Sequence, residues 1–230
     1  MRLLTTTTWK DLMTIEQTVK KKSSATLTDQ FRVFFKFILD PIAGFLNQLG
    51  IPPNTVTLLG LAGNAVGAYL LAQGNLLVGG LLVILMGPVD ALDGTIARLR
   101  GESSDFGAFV DSVTDRYSEL VIFGGLLWYS LKQGDTLTAI GLYLAAAGSV
   151  LVSYVRARGQ SLSMDTKVGM LTRLERYLVL APSLIFNIPA VGVWIIAVLA
   201  NITALQRIMD VRRQAHSKMH KPDQRKKENQ

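Results

Sequence analysis

Asp90 and Asp93 stand three residues apart and Asp111 and Asp115 four apart, all in segments otherwise apolar enough to be dissolved in lipid. A carboxylate at membrane depth is costly unless it is paired, hydrated or bound to metal. A single acidic residue near a helix end can simply be solvated, but four on neighbouring segments ask for a collective explanation. A metal site is the simplest one. The chain has no cysteine, so any metal is held by oxygen or nitrogen ligands, and carboxylates favour Mg2+ or Mn2+.

The elements that position these residues follow from composition. Hydrophobic residues make up 49% of the chain, and charge is swept into a few stretches. That pattern belongs to a polytopic membrane protein. Residues 1–28 form a polar segment carrying Lys20-Lys21-Lys22, with no leading apolar run, so no cleaved secretory signal is expected and the N-terminus is placed in the cytosol. Span-length apolar runs lie at Thr55–Gln73, Leu76–Leu99, Gly107–Leu131 and Leu137–Tyr154. The apolar stretch Tyr177–Ala200 contains the breaker Asn187-Ile188-Pro189, which divides it into a fifth span, Leu171–Phe186, and a sixth, Ala190–Gln206.

Six spans put 23 of the 24 Lys and Arg residues on the cytosolic side and leave only Lys132 on the other. Five spans would export the basic tail, against the positive-inside rule. The expected fold class is therefore an all-α integral membrane protein, six transmembrane helices preceded by an interfacial amphipathic helix. Residues 29–50 supply that helix, with Phe31, Phe34, Phe35, Ile38, Ile42, Phe45, Leu46 and Leu49 at helical spacing. Asp40 reads as its N-cap, Pro41 as its first residue and Gly50 as its C-terminal cap. It lies on the membrane surface or packs as ordinary core. Residues 51–210 form the catalytic membrane domain, and 211–230 a basic, disordered cytosolic tail.

Each aspartate pair occupies one helix face. The polar connector Leu99–Phe106 makes the second and third spans an antiparallel hairpin, and Asp90 and Asp111 lie equally far from its midpoint near Arg100 and Gly101. The four carboxylates then share a depth at the cytosolic mouth and can enclose one or two hard divalent cations. Gly94, Ala97 and Gly107 lack bulk there, so that a helix or a flat ligand can approach closely.

The pattern D-x-x-D-G-x-x-A-R-x8-G-x3-D-x3-D, matched at every fixed position, resembles the signature of the CDP-alcohol phosphatidyltransferases. The likeness extends to the six spans, the preceding helix and the Pro53-Asn54-Thr55-Val56-Thr57 start of the first span. It implies transfer of a phosphatidyl-type group from a CDP-linked lipid to an alcohol, with release of CMP. It also implies that Asp90, Asp93, Asp111 and Asp115 bind metal, as two Mg2+ or Mn2+ ions, and that Asp115 accepts the proton of the attacking hydroxyl. Asn54, Thr57, Asp90, Gly94, Ala97, Arg98 and Gly107 would contact the CDP-lipid, although Arg98 is equally suited to snorkelling towards the interface. Members of the family are similar homodimers. The implied location is a multi-pass plasma (inner) membrane with both termini and the active site cytosolic, and no nucleic-acid partner is expected.

A second basic group lies at cytosolic helix ends: Ser153, Arg156 and Arg158, then Arg176, then Arg207, with Lys167 and Arg173 in the loop between. Arginines converging from three helices form a receptor for a phosphate dianion, so an acceptor carrying its own phosphate fits. Positive-inside anchoring or contact with anionic lipid heads is the plainer role, and it suits Lys167. The Ser153-Tyr-Val-Arg-Ala-Arg158 and Glu175-Arg176 strings resemble the subgroup that uses inositol phosphate. That subgroup often has Lys where this chain has Arg156, which leaves glycerol 3-phosphate as the competing acceptor. A divalent cation transporter is the alternative of another class, and it would need carboxylates continuing across the bilayer.

Overall fold

The computed structural model describes residues 39–101 and 104–219. These form helices α1 (residues 39–48), α2 (Pro53–Ala72), α3 (Leu76–Arg100), α4 (Asp105–Lys132), α5 (Thr136–Ser161), α6 (Arg173–Ile185) and α7 (Pro189–Met219). Local chemistry sets their ends. α2 starts on Pro53, where a missing N–H costs nothing. α3 stops at Gly101, whose φ of 66° is left-handed, and Arg98 and Arg100 in its last turn face the negative end of the helix dipole. Ser104 caps α4 by accepting from Gly107 N at 3.0 Å, and Asp135 caps α5 by accepting from Thr138 N at 2.9 Å. The break between α6 and α7 falls where expected, at Asn187 (φ 58°) before Pro189.

Three boundaries differ from expectation. Leu39 and Asp40 are already helical, so Asp40 does not cap α1 and Pro41 is not its first residue. Helix α5 continues two turns past Tyr154 to Ser161. Helix α7 runs on to Met219, so 211–219, assigned to a disordered tail because of their charge, extend the last helix. The long α7 extension is fastened by contacts to the 162–172 loop: Gln214 donates to Asp165 O at 2.9 Å and Lys218 to Ser163 O at 2.7 Å. Residues 1–38, including Phe31, Phe34, Phe35 and Ile38, and 220–230 lie outside the described residues.

The packing order is a closed ring. α2 lies along both α3 and α4, α4 touches α5, α5 pairs with α7, α7 with α6, and α6 returns to α3. Among the described residues α3 and α4, though consecutive, barely touch. The expected antiparallel hairpin is thus splayed, with α2 wedged along one side, where added side chains would collide: a Cβ on Gly63 with Met86, and one on Gly125 with the Ala68 carbonyl. Away from the aspartates the ring is filled by apolar side chains, among them Leu71, Val83, Ile122, Leu126, Leu142, Leu184 and Ile196, each at most 1% exposed. Among the described residues this plug leaves no acidic path across the bundle, contrary to what a cation pathway requires. Leu39 and Ala43 of α1 pack on Val56, Leu92 and Ile96, so one face of α1 is core, while Ile42, Phe45 and Leu49 stay exposed.

Four helices, α2, α3, α5 and α7, are long and apolar enough to cross a membrane. α4 has 28 residues but carries Asp111, Asp115, Arg116 and Glu119 along its length, and α6 has 13 residues, about 20 Å at 1.5 Å per residue. Outward-facing Leu77, Leu81, Leu85, Trp128, Tyr143 and Val198 are exposed, as lipid-facing side chains are.

Candidate active site

The polar side chains meet in the cleft that the splaying of α3 and α4 opens. Asp93, 6% exposed, accepts from the buried Thr57 hydroxyl of α2 at 2.5 Å and from Gly94 N. Asp90, 8% exposed, turns Oδ1 towards Gly60, where a Cβ would collide with it, so the bare glycine is what admits the carboxylate. Half-buried Asp111 and Asp115 enter from α4, and the charge of Asp111 acts on Asp90, Asp93 and Asp115. The other three expected aspartates therefore lie within electrostatic reach of Asp111. Asn54 and Gly107 are neighbours, 3.9 Å separating Asn54 Oδ1 from a Cβ built on the glycine. Arg98 is exposed and lies back along Gly94, donating to Thr95 Oγ1 at 3.0 Å, and Ala97 is half-buried beside it.

A cation already stands among the carboxylates. Arg173, the first residue of α6, places Nη2 on Asp90 Oδ2 and Nη1 on Asp115 Oδ1, bridging α3 and α4, with its guanidinium 5.4 Å from the centre of the Tyr177 ring. Arg116 Nη2 lies 3.4 Å from Asp115 Oδ2, and its Nη1 donates to Ser153 Oγ of α5. Among the described residues no three acidic or histidine side chains converge into a ready-made cage. The donor set nevertheless fits a hard divalent ion: it is all carboxylate, it collects excess negative charge, and one cation is already held between two of its members.

The second expected group is only partly assembled. Arg207, 4% exposed, feels the charges of Arg156 and Arg176, so α5, α6 and α7 do bring these three together. Arg176 and Arg207 are, however, already engaged. Arg176 donates to Glu119 Oε1 at 2.6 and 3.0 Å and to Leu171 O at 3.3 Å, while Arg207 donates to Val168 O at 3.0 Å and Val152 O at 2.8 Å. Arg156 is exposed. Arg158 is exposed too and turns to Ser161 Oγ at 3.4 Å, away from the group. Lys167 pairs with Asp165 on the surface at 3.2 Å, in keeping with an anchoring role.

Comparison with known proteins gives this geometry its family. Residues 51–206 match the family model described as CDP-alcohol phosphatidyltransferase. The chain belongs to that family. It is 38% identical over 211 residues to the phosphatidylinositol phosphate synthase of Streptomyces avermitilis, covering 83% of this chain and 84% of that one. Two crystal structures of Mycobacterium tuberculosis phosphatidylinositol phosphate synthase superpose with a TM-score of 0.72 at 32% identity. The one with CDP-DAG bound covers 76% of this chain and 93% of its own, and the one in complex with manganese and citrate covers 75% and 88%. The protein is accordingly a CDP-alcohol phosphatidyltransferase and a multi-pass membrane protein.

Sequence analysis did not put Glu119 or Arg116 in this candidate site, and it put Arg173 with the basic loop and not among the carboxylates. Glu119 was legible, since Asp111, Asp115 and Glu119 continue one four-residue stripe along α4. Arg116 and Arg173 carried no such signal, because adjacent residues face different ways and the loop before α6 does not reveal where its arginine points.

Proposed function

We propose that this enzyme transfers the phosphatidyl group of a CDP-diacylglycerol-type lipid to a hydroxyl of inositol phosphate, releasing CMP. The observation that carries the reading is the nearness of two unlike charge clusters: the four carboxylates of α3 and α4, and the triad Arg156, Arg176 and Arg207, joined through Arg116–Ser153 and Glu119–Arg176. The names of the relatives point to the same acceptor. Six crossings with both termini cytosolic are part of the proposal and take in α4 and the short α6, as is assembly into a homodimer.

In this reading Asp90, Asp93, Asp111 and Asp115 hold one or two Mg2+ or Mn2+ ions, which when bound neutralise the diphosphate of the CDP-lipid and ease the departure of CMP. Thr57 fixes the rotamer of Asp93, and Gly60 leaves space for Asp90. Asn54, Gly94, Ala97 and Gly107 border the nucleotide. Asp115 takes the proton from the acceptor hydroxyl as its oxygen bonds to the lipid-side phosphorus and the bond from that phosphorus to CMP breaks. Arg156 is free to contact the acceptor's phosphate. Arg176 and Arg207 add positive potential while bracing the carbonyls of Leu171, Val168 and Val152.

The test is to offer the purified protein and a CDP-lipid four acceptors in parallel (inositol phosphate, glycerol 3-phosphate, free inositol and serine) and to measure CMP. Inositol phosphate should be turned over fastest. Preference for an unphosphorylated alcohol would overturn the arginine assignment, and preference for glycerol 3-phosphate would overturn the inositol ring alone.

A further inference from the structure

Arg173 is an expensive residue to place where it is. It opens α6, at the positive end of the helix dipole, where a cation is disfavoured. Glu175 serves the same helix end in the opposite sense, accepting from Thr172 N at 2.7 Å. Helix stability therefore does not explain the arginine. Its contacts do: its two terminal nitrogens reach carboxylates on two different helices, Asp90 on α3 and Asp115 on α4, which otherwise barely touch. Among the described residues its Nε is buried without a hydrogen-bond partner, so the guanidinium is not fully satisfied in this position.

Counting charge explains why such a contact suits the site only part of the time. Without metal, four carboxylates face the two guanidiniums of Arg173 and Arg116, and the cleft is strongly negative. Two divalent ions would cancel the carboxylates completely and leave Arg173 unneutralised, facing the space that an anionic diphosphate enters, while Arg116 keeps Glu119 at 3.9 Å. The same oxygens, Asp90 Oδ2 and Asp115 Oδ1, cannot serve the arginine and an ion equally well. The side chain is 26% exposed and follows directly on a loop, so it can withdraw along the Tyr177 ring without disturbing the bundle.

We propose that Arg173 is an exchangeable counter-ion: it ties α3 to α4 in the metal-free protein, is displaced from Asp90 and Asp115 by divalent ions, and then presents its charge to the diphosphate of the nucleotide-lipid. The proposal rests on the carboxylates being the metal ligands. It predicts that Arg173 competes with metal, whereas a purely structural arginine would not.

The experiment uses the full chain in detergent, with Mn2+ as the probe, bound Mn2+ read by electron paramagnetic resonance and unfolding read with and without EDTA. Arg173→Gln should bind Mn2+ about tenfold more tightly, as expected if the latch leaves the site open about a tenth of the time. Its EDTA-treated form should melt below wild type, and Mn2+ should raise its melting temperature by more than it raises that of wild type. Arg173→Lys separates exchange from bulk electrostatics, because lysine keeps the charge but has no planar fork to bridge two carboxylates. Exchange predicts an intermediate gain in affinity, and bulk electrostatics predicts none. If wild type binds Mn2+ and neither variant binds it more tightly, the counter-ion role is wrong and the metal site stands; if wild type binds none, both fall.

Discussion

Glu119→Leu removes the partner of a guanidinium that is 3% exposed, and the consequence can be worked from the geometry. Glu119 Oε1 receives two Arg176 nitrogens at 2.6 and 3.0 Å. At an effective dielectric constant near 20 those separations correspond to about 5–6 kcal/mol of attraction. Arg176 keeps Leu171 O at 3.3 Å, so part of its hydrogen bonding survives. The net loss should be about 3–5 kcal/mol, the range for stranding one member of a buried pair. In a chain of this size that is a fall of roughly 6–20 °C in the melting temperature, measured in detergent by scanning fluorimetry or calorimetry. The double variant Glu119→Leu/Arg176→Met should recover most of the stability, since an apolar pair avoids the desolvation cost. It should not recover CMP release with inositol phosphate, because the Arg176 guanidinium beside Arg156 and Arg207 is gone. A single variant that melts within about 2 °C of wild type would refute the reasoning, and so would a double variant as unstable as the single one.

Other outcomes follow from the same contacts. Asp115→Asn should lower CMP release by at least about a hundredfold while the protein still binds nucleotide-lipid; retained turnover would remove Asp115 from the role of base. Gly60→Ala should leave the fold intact, because its Cβ collides with the end of the Asp90 side chain and makes ordinary contact with Val89, yet cost about tenfold in Mn2+ affinity by turning that carboxylate. Thr138 holds the Asp135 carboxylate below its ordinary value of 3.8 through its hydroxyl and N–H. The stabilisation from this cap is full above that value and lost as pH falls through the lowered one. Asp135→Ala should therefore cost about 0.5 kcal/mol near neutral pH, with less difference in acid, and Asp135→Asn should keep the cap but lose the pH dependence. Thermal unfolding at pH 7 and pH 3 distinguishes these.

The helices were legible because their signals are local. Pro53, Gly101, Ser104, Asp135 and Pro189 act within a turn of where they stand, and apolar length marks what lipid must cover. Where the reading failed, a tertiary contact had overridden composition: 211–219 look like a solvated tail, but Gln214 and Lys218 tie them to the 162–172 loop. Asp40-Pro41 looks like a helix start, yet the helix is already under way at Leu39.

The chemistry divides along the same line. Spacing alone puts Asp90 with Asp93 and Asp111 with Asp115 on common faces, since helical rise and rotation are constants of the backbone. Which way those faces turn is not such a constant. It was decided by α2 wedging along α3 and α4, by Gly60 and Gly125 allowing that approach, and by the return of α6 to α3. Only that ring delivers Arg173 to Asp90 and Asp115 and commits Arg176 to Glu119. A long cationic side chain can reach several partners, and the packing of helices distant in sequence selects among them.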